Sequence, residues 1–277
     1  MIFALLFPFL STIVATFLGA IIRLIAKKIS REFLIFLQNF SLGAIVGLIF
    51  FELLPESYSL FLNNNDSFLS ALFTVLICLG SGGLFFLFHE LFHKISKHHN
   101  KDKTDNEACI DHLHTQELLK ENESNNSSFY TCLLFLLAIF IHNIPEGLSL
   151  GVTFSLSKDT FPLDGTIMSS ILFIHNVVVG FSLMSSFLDI KKTVKFSLLL
   201  TLLSSFSAYV LSLIGYFISS INLGNVFEAI IYSFSSGTLL YVLFIELLPQ
   251  TFYNYKSRFS FLYFLIGLGL CFILISL

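Results

Sequence analysis

The sequence has few charged residues, and it lacks the cysteine pattern that could stabilise a small soluble fold. Only 12% of the 277 residues are Asp, Glu, Lys or Arg, against about 25% in soluble domains. There is no Trp, and the four Cys are scattered without a CxxC pair, so no disulfide framework is indicated. A formal net charge of −3 gives no basic field that would attract a nucleic acid. These absences exclude a cytosolic enzyme, a disordered scaffold and a nucleic-acid-binding protein.

Apolar residues make up 55% of the chain, and 35 of them are Phe. Runs of about 20 apolar residues, long enough to cross a hydrocarbon core, occur eight times. The runs cover residues 2–26, 33–54, 67–92, 129–156, 166–189, 194–219, 225–249 and 258–277. We therefore predict an all-α polytopic membrane protein with eight transmembrane helices. The first run is not a cleavable signal peptide, because its positive charges follow it.

Basic residues concentrate in alternate connecting segments, and cytoplasmic loops are the ones that carry an excess of Lys and Arg. The basic segments are KKISRE, residues 94–128, DIKKTVK and NYKSR. This pattern places all four in the cytoplasm and both termini outside the cell or in a lumen. Among the membranes that the chain could occupy, the plasma membrane is favoured over an organelle membrane.

Residues 94–128 differ from the rest of the chain, because they are polar and charged throughout and include His98, His99, His112 and His114. Such a composition cannot bury a core, so we predict a mostly disordered cytoplasmic loop. The loop divides a single transmembrane domain into helices 1–3, in residues 1–93, and helices 4–8, in residues 129–277. Metal binding through KHH and CIDHLH and a plain solvated linker both remain open.

Two internal repeats indicate how the helices are arranged. Residues 141–151 read IHNIPEGLSLG and residues 174–184 read IHNVVVGFSLM. In the second repeat, FSLGAIVGLIFFELLPES at 40–57 matches FSSGTLLYVLFIELLPQT at 234–251. The predicted topology makes the members of each pair antiparallel, which is typical of transporters built from inverted repeats, whose substrate sites lie near the bilayer midplane.

Polar residues of the first repeat fall in the middle of spans 4 and 5. His142 and Glu146 are four residues apart and so share one helix face, while His175 lies on the antiparallel neighbour. An ionisable residue at this depth costs at least about 2.5–3.5 kcal/mol on insertion scales, which favours a functional role. Two imidazoles and a carboxylate suit Zn²⁺ or Fe²⁺, and Asn143 and Asn176 could add weak oxygen ligands. Interhelical hydrogen bonding alone would explain neither Glu146 nor the repeat.

The segment IHNIPEGLSLG resembles the fourth-helix signature of the ZIP (Zrt/Irt-like) metal transporter family, and FFELLPE resembles its second helix. The resemblance covers essentially the whole chain. It implies transport of a divalent transition metal, zinc or iron, into the cytoplasm. It also implies metal-binding roles for His142, Glu146 and His175, with Asn143 and Asn176 as auxiliary ligands.

One position departs from the family pattern. Many members carry, four residues after the fifth-helix His, a Glu that bridges two metals, and this chain has Val179 there. The resemblance therefore implies a site for a single ion.

Further candidates lie on either side of this site. Glu52 and Glu56 are expected at the outer end of span 2, where they could concentrate cations at an entrance or be ordinary interfacial acids. His89, His93 and Glu246 are expected at the inner ends of spans 3 and 7, where they could form an exit path.

A different reading starts from HELFH at 89–93, which matches the HExxH motif of zinc proteases. Leu163-Asp164-Gly165 resembles the third-ligand segment of intramembrane metalloproteases. The predicted topology places the two segments on opposite sides of the membrane, where they cannot share one zinc ion. A metal transporter rather than an enzyme is therefore favoured, with the protease and a non-transporting metal sensor as alternatives.

The expected partners follow from this reading. They are the lipid bilayer and the transported Zn²⁺ or Fe²⁺ as ligand, and no resident cofactor or nucleic acid is expected. Because the sequence has no P-loop, transport driven by ATP is not expected. The chain could act as a homodimer.

Overall fold

The computed structural model describes residues 2–25, 31–99, 140, 143–156, 161–189, 193–221, 224–247 and 259–276. Across these ranges the chain forms helices and turns, with no strand. The helices are named in chain order. They are α1 (Ile2–Ile25), α2 (Arg31–Leu48, Ile49–Leu53 and Leu54–Leu62), α3 (Ser67–His99), α4 (143–156), α5 (Leu163–Asp189), α6 (Val194–Ser220), α7 (Asn225–Val242 and Leu243–Leu247) and α8 (Ser260–Ile275).

Six helices, α1, α2, α3, α5, α6 and α7, are long and apolar enough to cross a membrane. Helix α8 is equally apolar but has 16 residues. The predicted span 129–156 lies outside the described residues except for Phe140 and α4. The all-helical, polytopic membrane fold expected from the sequence is thus confirmed.

Helix α2 differs from its predicted bounds. It continues past residue 54 to Leu62, although Pro55 lacks the N–H that a helix interior requires. The helix continues because Pro55 follows a π-helical turn, Ile49–Leu53, and stands in the first turn of the next α-helical segment, where a missing N–H is tolerated. Glu52 and Glu56 therefore lie inside the span, about 15 Å and 9 Å from its end, and not at the outer end as expected.

Helix α3 also runs beyond its predicted end. It extends to His99, so the first six residues of the predicted loop 94–128 continue the helix. The change to a polar composition ends the apolar span without ending the helical backbone. The remaining part of that loop, 100–128, lies outside the described residues.

The second internal repeat is present in the backbone as well as in the sequence. Helix α7 contains a π-helical turn at Leu243–Leu247, and its position in the repeat is the same as that of Ile49–Leu53 in α2. Each turn contains a glutamate, Glu52 or Glu246. Because π-helical turns are rare, their matched positions make α2 and α7 structural counterparts.

Glycines of the same repeat set the closest helix contacts. A Cβ atom at Gly43 would collide with the carbonyl oxygen of Phe264 on α8, and one at Gly237 would collide with that of Cys78 on α3. Small residues let helix backbones approach closely in a membrane. The pair α2–α8 is thus built in the same way as the pair α7–α3.

The first repeat uses glycine similarly. A Cβ at Gly147 of α4 would meet the carbonyl oxygen of Ala208 on α6, and one at Gly180 of α5 would meet that of Thr16 on α1. Gly147 and Gly180 occupy the same position of the repeat. Helices α4 and α5 therefore use equivalent glycines for equivalent close contacts, α4 with α6 and α5 with α1.

Candidate metal-binding site

The carboxylate of Glu146 is the most buried acid among the described residues, with 1% of the side chain exposed. It follows Pro145, whose carbonyl oxygen accepts hydrogen bonds from Ser149 Oγ at 2.9 Å and from Ser235 Oγ at 2.8 Å. Ser149 belongs to α4 and Ser235 to α7. The turn that carries Glu146 is therefore fixed both within its own helix and to α7.

Helix α5 supplies the next two residues. Asn176 Nδ2 donates a hydrogen bond to Glu146 Oε1 over 3.0 Å, and His175 precedes it in the chain. Both side chains are buried, with 6% and 5% exposed. The structure thus places the predicted residues of α5 next to the predicted carboxylate of α4.

His175 is also tied to α2. Its Nδ1 atom lies 3.2 Å from Ser41 Oγ, and either atom can be the donor, depending on the tautomer of the imidazole. A hydrogen bond at one ring nitrogen selects which nitrogen keeps a lone pair for a metal. Sequence reasoning did not identify Ser41, although its place in FSLG of the second repeat distinguishes it from other serines.

Helix α1 contributes a backbone atom. The carbonyl oxygen of Ser11, within the π-helical turn Leu10–Val14, accepts a second hydrogen bond from Asn176 Nδ2 over 3.0 Å. The hydroxyls of Ser11 and Thr12 donate to Pro8 O at 3.3 Å and 2.7 Å. Ser11 was also missed from the sequence, because no residue pattern predicts a π-helical turn.

Asn143 has a different neighbour. Its Nδ2 atom donates to the carbonyl oxygen of Ser204 at 2.7 Å and to Ser207 Oγ at 3.2 Å, both on α6. Asn143 and Asn176 occupy the same position of the repeat. Their amide nitrogens make equivalent hydrogen bonds, Asn143 to a backbone carbonyl of α6 and Asn176 to a backbone carbonyl of α1.

Several predicted site residues are not tested by this geometry. His142 lies outside the described residues. His89 and His93 lie in α3 and Glu246 in the π-helical turn of α7, Leu243–Leu247, and their roles stay predictions. Within the described ranges no group of three or more His, Cys, Asp or Glu side chains is arranged to hold a metal.

The acids predicted at an entrance form a loose group. Asp164, in the first turn of α5, is close enough to Glu52 and Glu56 for their carboxylates to repel one another, and Glu228 acts on Glu56 in the same way. Glu228 Oε1 accepts a hydrogen bond of 2.6 Å from Ser219 Oγ. Four acids from three helices thus form one acidic group: Glu52 and Glu56 of α2, Asp164 of α5 and Glu228 of α7.

The HELFH and LDG segments are far apart. Asp164 lies in the first turn of α5, close enough to Glu52 and Glu56 of α2 to act on them electrostatically. These two residues lie within about 15 Å of the end of α2 that leads into α3. His89 lies 22 residues along α3 from Ser67, or about 33 Å from that end of the bundle. Ligands of one zinc ion lie within about 2.0–2.3 Å of it, so these segments do not form a common site.

Comparison with protein families identifies the family of the chain. The model of the ZIP Zinc transporter family matches residues 1–275. The chain belongs to this family. Comparison with curated protein sequences gives no significant match. As a ZIP protein the chain is an integral, multi-pass membrane protein that transports divalent metal, and members of the family are transporters rather than enzymes.

Proposed function

We propose that this ZIP protein carries Zn²⁺ or Fe²⁺ from the outside, or from a lumen, into the cytoplasm. The ion would bind near the bilayer midplane between α4 and α5, with Glu146 and His175 as ligands together with His142, which lies outside the described residues. The observation that carries the proposal is the buried carboxylate of Glu146 in hydrogen-bond contact with α5.

The chemistry of these groups supports a borderline divalent cation. A buried carboxylate is costly unless it is paired or binds a metal. Carboxylate oxygen and imidazole nitrogen are both ordinary ligands of Zn²⁺, and Fe²⁺ accepts the same atoms. The ion would lose most of its water on binding and leave when the helices rearrange.

The inward direction rests on two features of the sequence. The excess of Lys and Arg in four connecting segments indicates that these segments are cytoplasmic. One of them carries the histidines at 98, 99, 112 and 114. The acidic group of Glu52, Glu56, Asp164 and Glu228 lies toward the opposite end of these helices and would concentrate cations there before they enter. We propose the plasma membrane as the site of action.

A single bound ion is favoured by the residue at position 179. Val179 lies one turn after His175 on α5 and is half-buried. With one carboxylate and two neutral imidazoles, a bound dication leaves a local charge of about +1, which repels a second dication. No carboxylate at 179 is present to offset that repulsion.

Uptake of radioactive zinc and iron into cells that express the chain tests the proposal. We expect Glu146→Gln and His175→Ala each to remove most uptake, while the amount of protein in the membrane persists. Glu32→Gln, which changes an exposed carboxylate in the first turn of α2, is the control and should leave uptake unchanged. Undiminished uptake in both site variants would refute the ligand assignment.

Competition between metals in the same assay separates the candidate substrates. The metal that most strongly reduces radioactive zinc uptake at equal concentration is the preferred one. If the purified protein binds zinc but cells that express it show no uptake, the alternative of a non-transporting metal sensor is favoured instead.

A further inference from the structure

The orientation of the Asn176 amide is fixed by its two partners. One amide atom lies 3.0 Å from both the Ser11 carbonyl oxygen and Glu146 Oε1. A carbonyl oxygen and an ionised carboxylate can only accept hydrogen bonds. The atom between them must therefore be the NH₂ nitrogen, since the opposite orientation would place three acceptor oxygens together.

This orientation determines what Asn176 can do for a metal. The amide group binds cations through its oxygen, whereas the atom that faces Glu146 is the nitrogen, with both protons donated. We infer that Asn176 is not a metal ligand but a positioning residue, which holds the Glu146 carboxylate for the ion and is anchored to the π-helical turn of α1. This inference rests on the proposed function insofar as Glu146 binds the metal.

The internal repeat provides a counterpart for comparison. Asn143 holds the same repeat position on α4 but donates to Ser204 and Ser207 of α6. Both asparagines thus anchor their helices, and Asn176 also donates to the proposed metal-binding carboxylate. Hydrogen bonds to a charged group are about twice as strong as neutral ones, so the donor at 176 stabilises the carboxylate in one orientation while the site holds no metal.

A double-mutant cycle in metal-free protein tests the bond directly. In Asn176→Asp, a carboxylate of the same shape faces two oxygens, so we expect the melting temperature in detergent to fall by several degrees. Combining it with Glu146→Gln exchanges donor and acceptor, because the new amide can donate to the new carboxylate. We expect this double variant to regain at least half of the lost melting temperature.

The matched control is the double-mutant cycle of Asn143→Asp with Glu146→Gln. In this cycle we expect the double variant to regain none of the melting temperature that Asn143→Asp loses. The inference would be overturned if Glu146→Gln stabilised the Asn143→Asp protein as much as the Asn176→Asp protein. Because these measurements use protein from which metal has been removed with a chelator, their outcome does not depend on whether the chain transports metal.

X-ray absorption of purified, zinc-loaded protein tests the second half of the inference. For Asn176→Ala, and for Asn176→Ser as a second variant, we expect the number of directly bound nitrogen and oxygen atoms to equal that of the unmodified protein. Zinc affinity should fall about 10- to 100-fold, the usual effect of removing a partner that orients a ligand. Loss of one directly bound oxygen in either variant would show that Asn176 is a ligand. Failure of the unmodified protein to bind zinc would refute the proposed function and leave the hydrogen-bond cycle as the measure of the inference.

Discussion

Ser41 Oγ on α2 lies 3.2 Å from Nδ1 of His175 on α5, although 134 residues separate them in the chain. This contact links the two repeats, because Ser41 belongs to the FSLG segment of one and His175 to the IHN segment of the other. Its role can be tested without changing a proposed ligand.

We expect Ser41→Ala to weaken zinc affinity about 10- to 100-fold, because the imidazole of His175 loses the partner that fixes its tautomer and orientation. The apparent KM for zinc uptake should rise while the amount of membrane protein is unchanged. Ser41→Thr, which keeps the hydroxyl, should stay close to the unmodified protein. Equal KM values for all three proteins would contradict the prediction.

Gly180→Ala should destabilise the protein, because the added methyl group meets the backbone of Thr16 on α1, which cannot move aside as a flexible side chain can. Overpacking of this kind costs about 1–3 kcal/mol. The yield of monodisperse protein in detergent and its melting temperature measure the effect. Gly80→Ala on α3 is the control, since nothing lies within 4 Å of a Cβ at that position.

Val179→Glu should raise the number of tightly bound zinc ions per chain from one to two, because a second carboxylate offsets the repulsion between the ions. Turnover can fall at the same time, since an ion that is held more tightly must still leave. Metal content of purified protein decides the matter, with Val178→Glu, about 100° around the helix, as the control. Two ions in the unmodified protein would mean that the role of position 179 has been misread.

Deletion of residues 100–125 should leave most zinc uptake intact and change its regulation or apparent affinity. The segment is polar and carries few apolar side chains that could contribute to packing. A second variant, with the segment replaced by a Gly/Ser-rich sequence of equal length, separates the effect of composition from that of length. Complete loss of uptake in both variants, at normal amounts of membrane protein, would place the segment in the transport path.

Labelling with a membrane-impermeant thiol reagent tests the orientation of the helices. In a background without native cysteines, we expect Asp164→Cys to react from outside intact cells and His93→Cys to react only after the membrane is permeabilised. The two positions lie toward opposite ends of the bundle. Reaction of both from the same side would restore the metalloprotease hypothesis.

The sequence predicts the helical class and the pairing of repeats, because apolar length and self-similarity are properties of the chain itself. It also identifies Glu146 and Asn176, which stand out as polar residues within apolar runs. It cannot identify Ser41 or Ser11, because helical periodicity does not reveal which helices are neighbours. The end of α2 was misplaced for a related reason: Pro55 normally ends a helix, and only the backbone reveals the widened turn before it.

The widened turns of α2 and α7 make two distant parts of the chain equivalent in backbone as well as in sequence. They occupy the same place in helices that are repeat counterparts, and each contains a glutamate, Glu52 or Glu246. Single π-helical turns inside α-helices are frequently found at functional sites. A change of backbone at one of the two turns, for example by deletion of one residue, therefore has its natural control at the other.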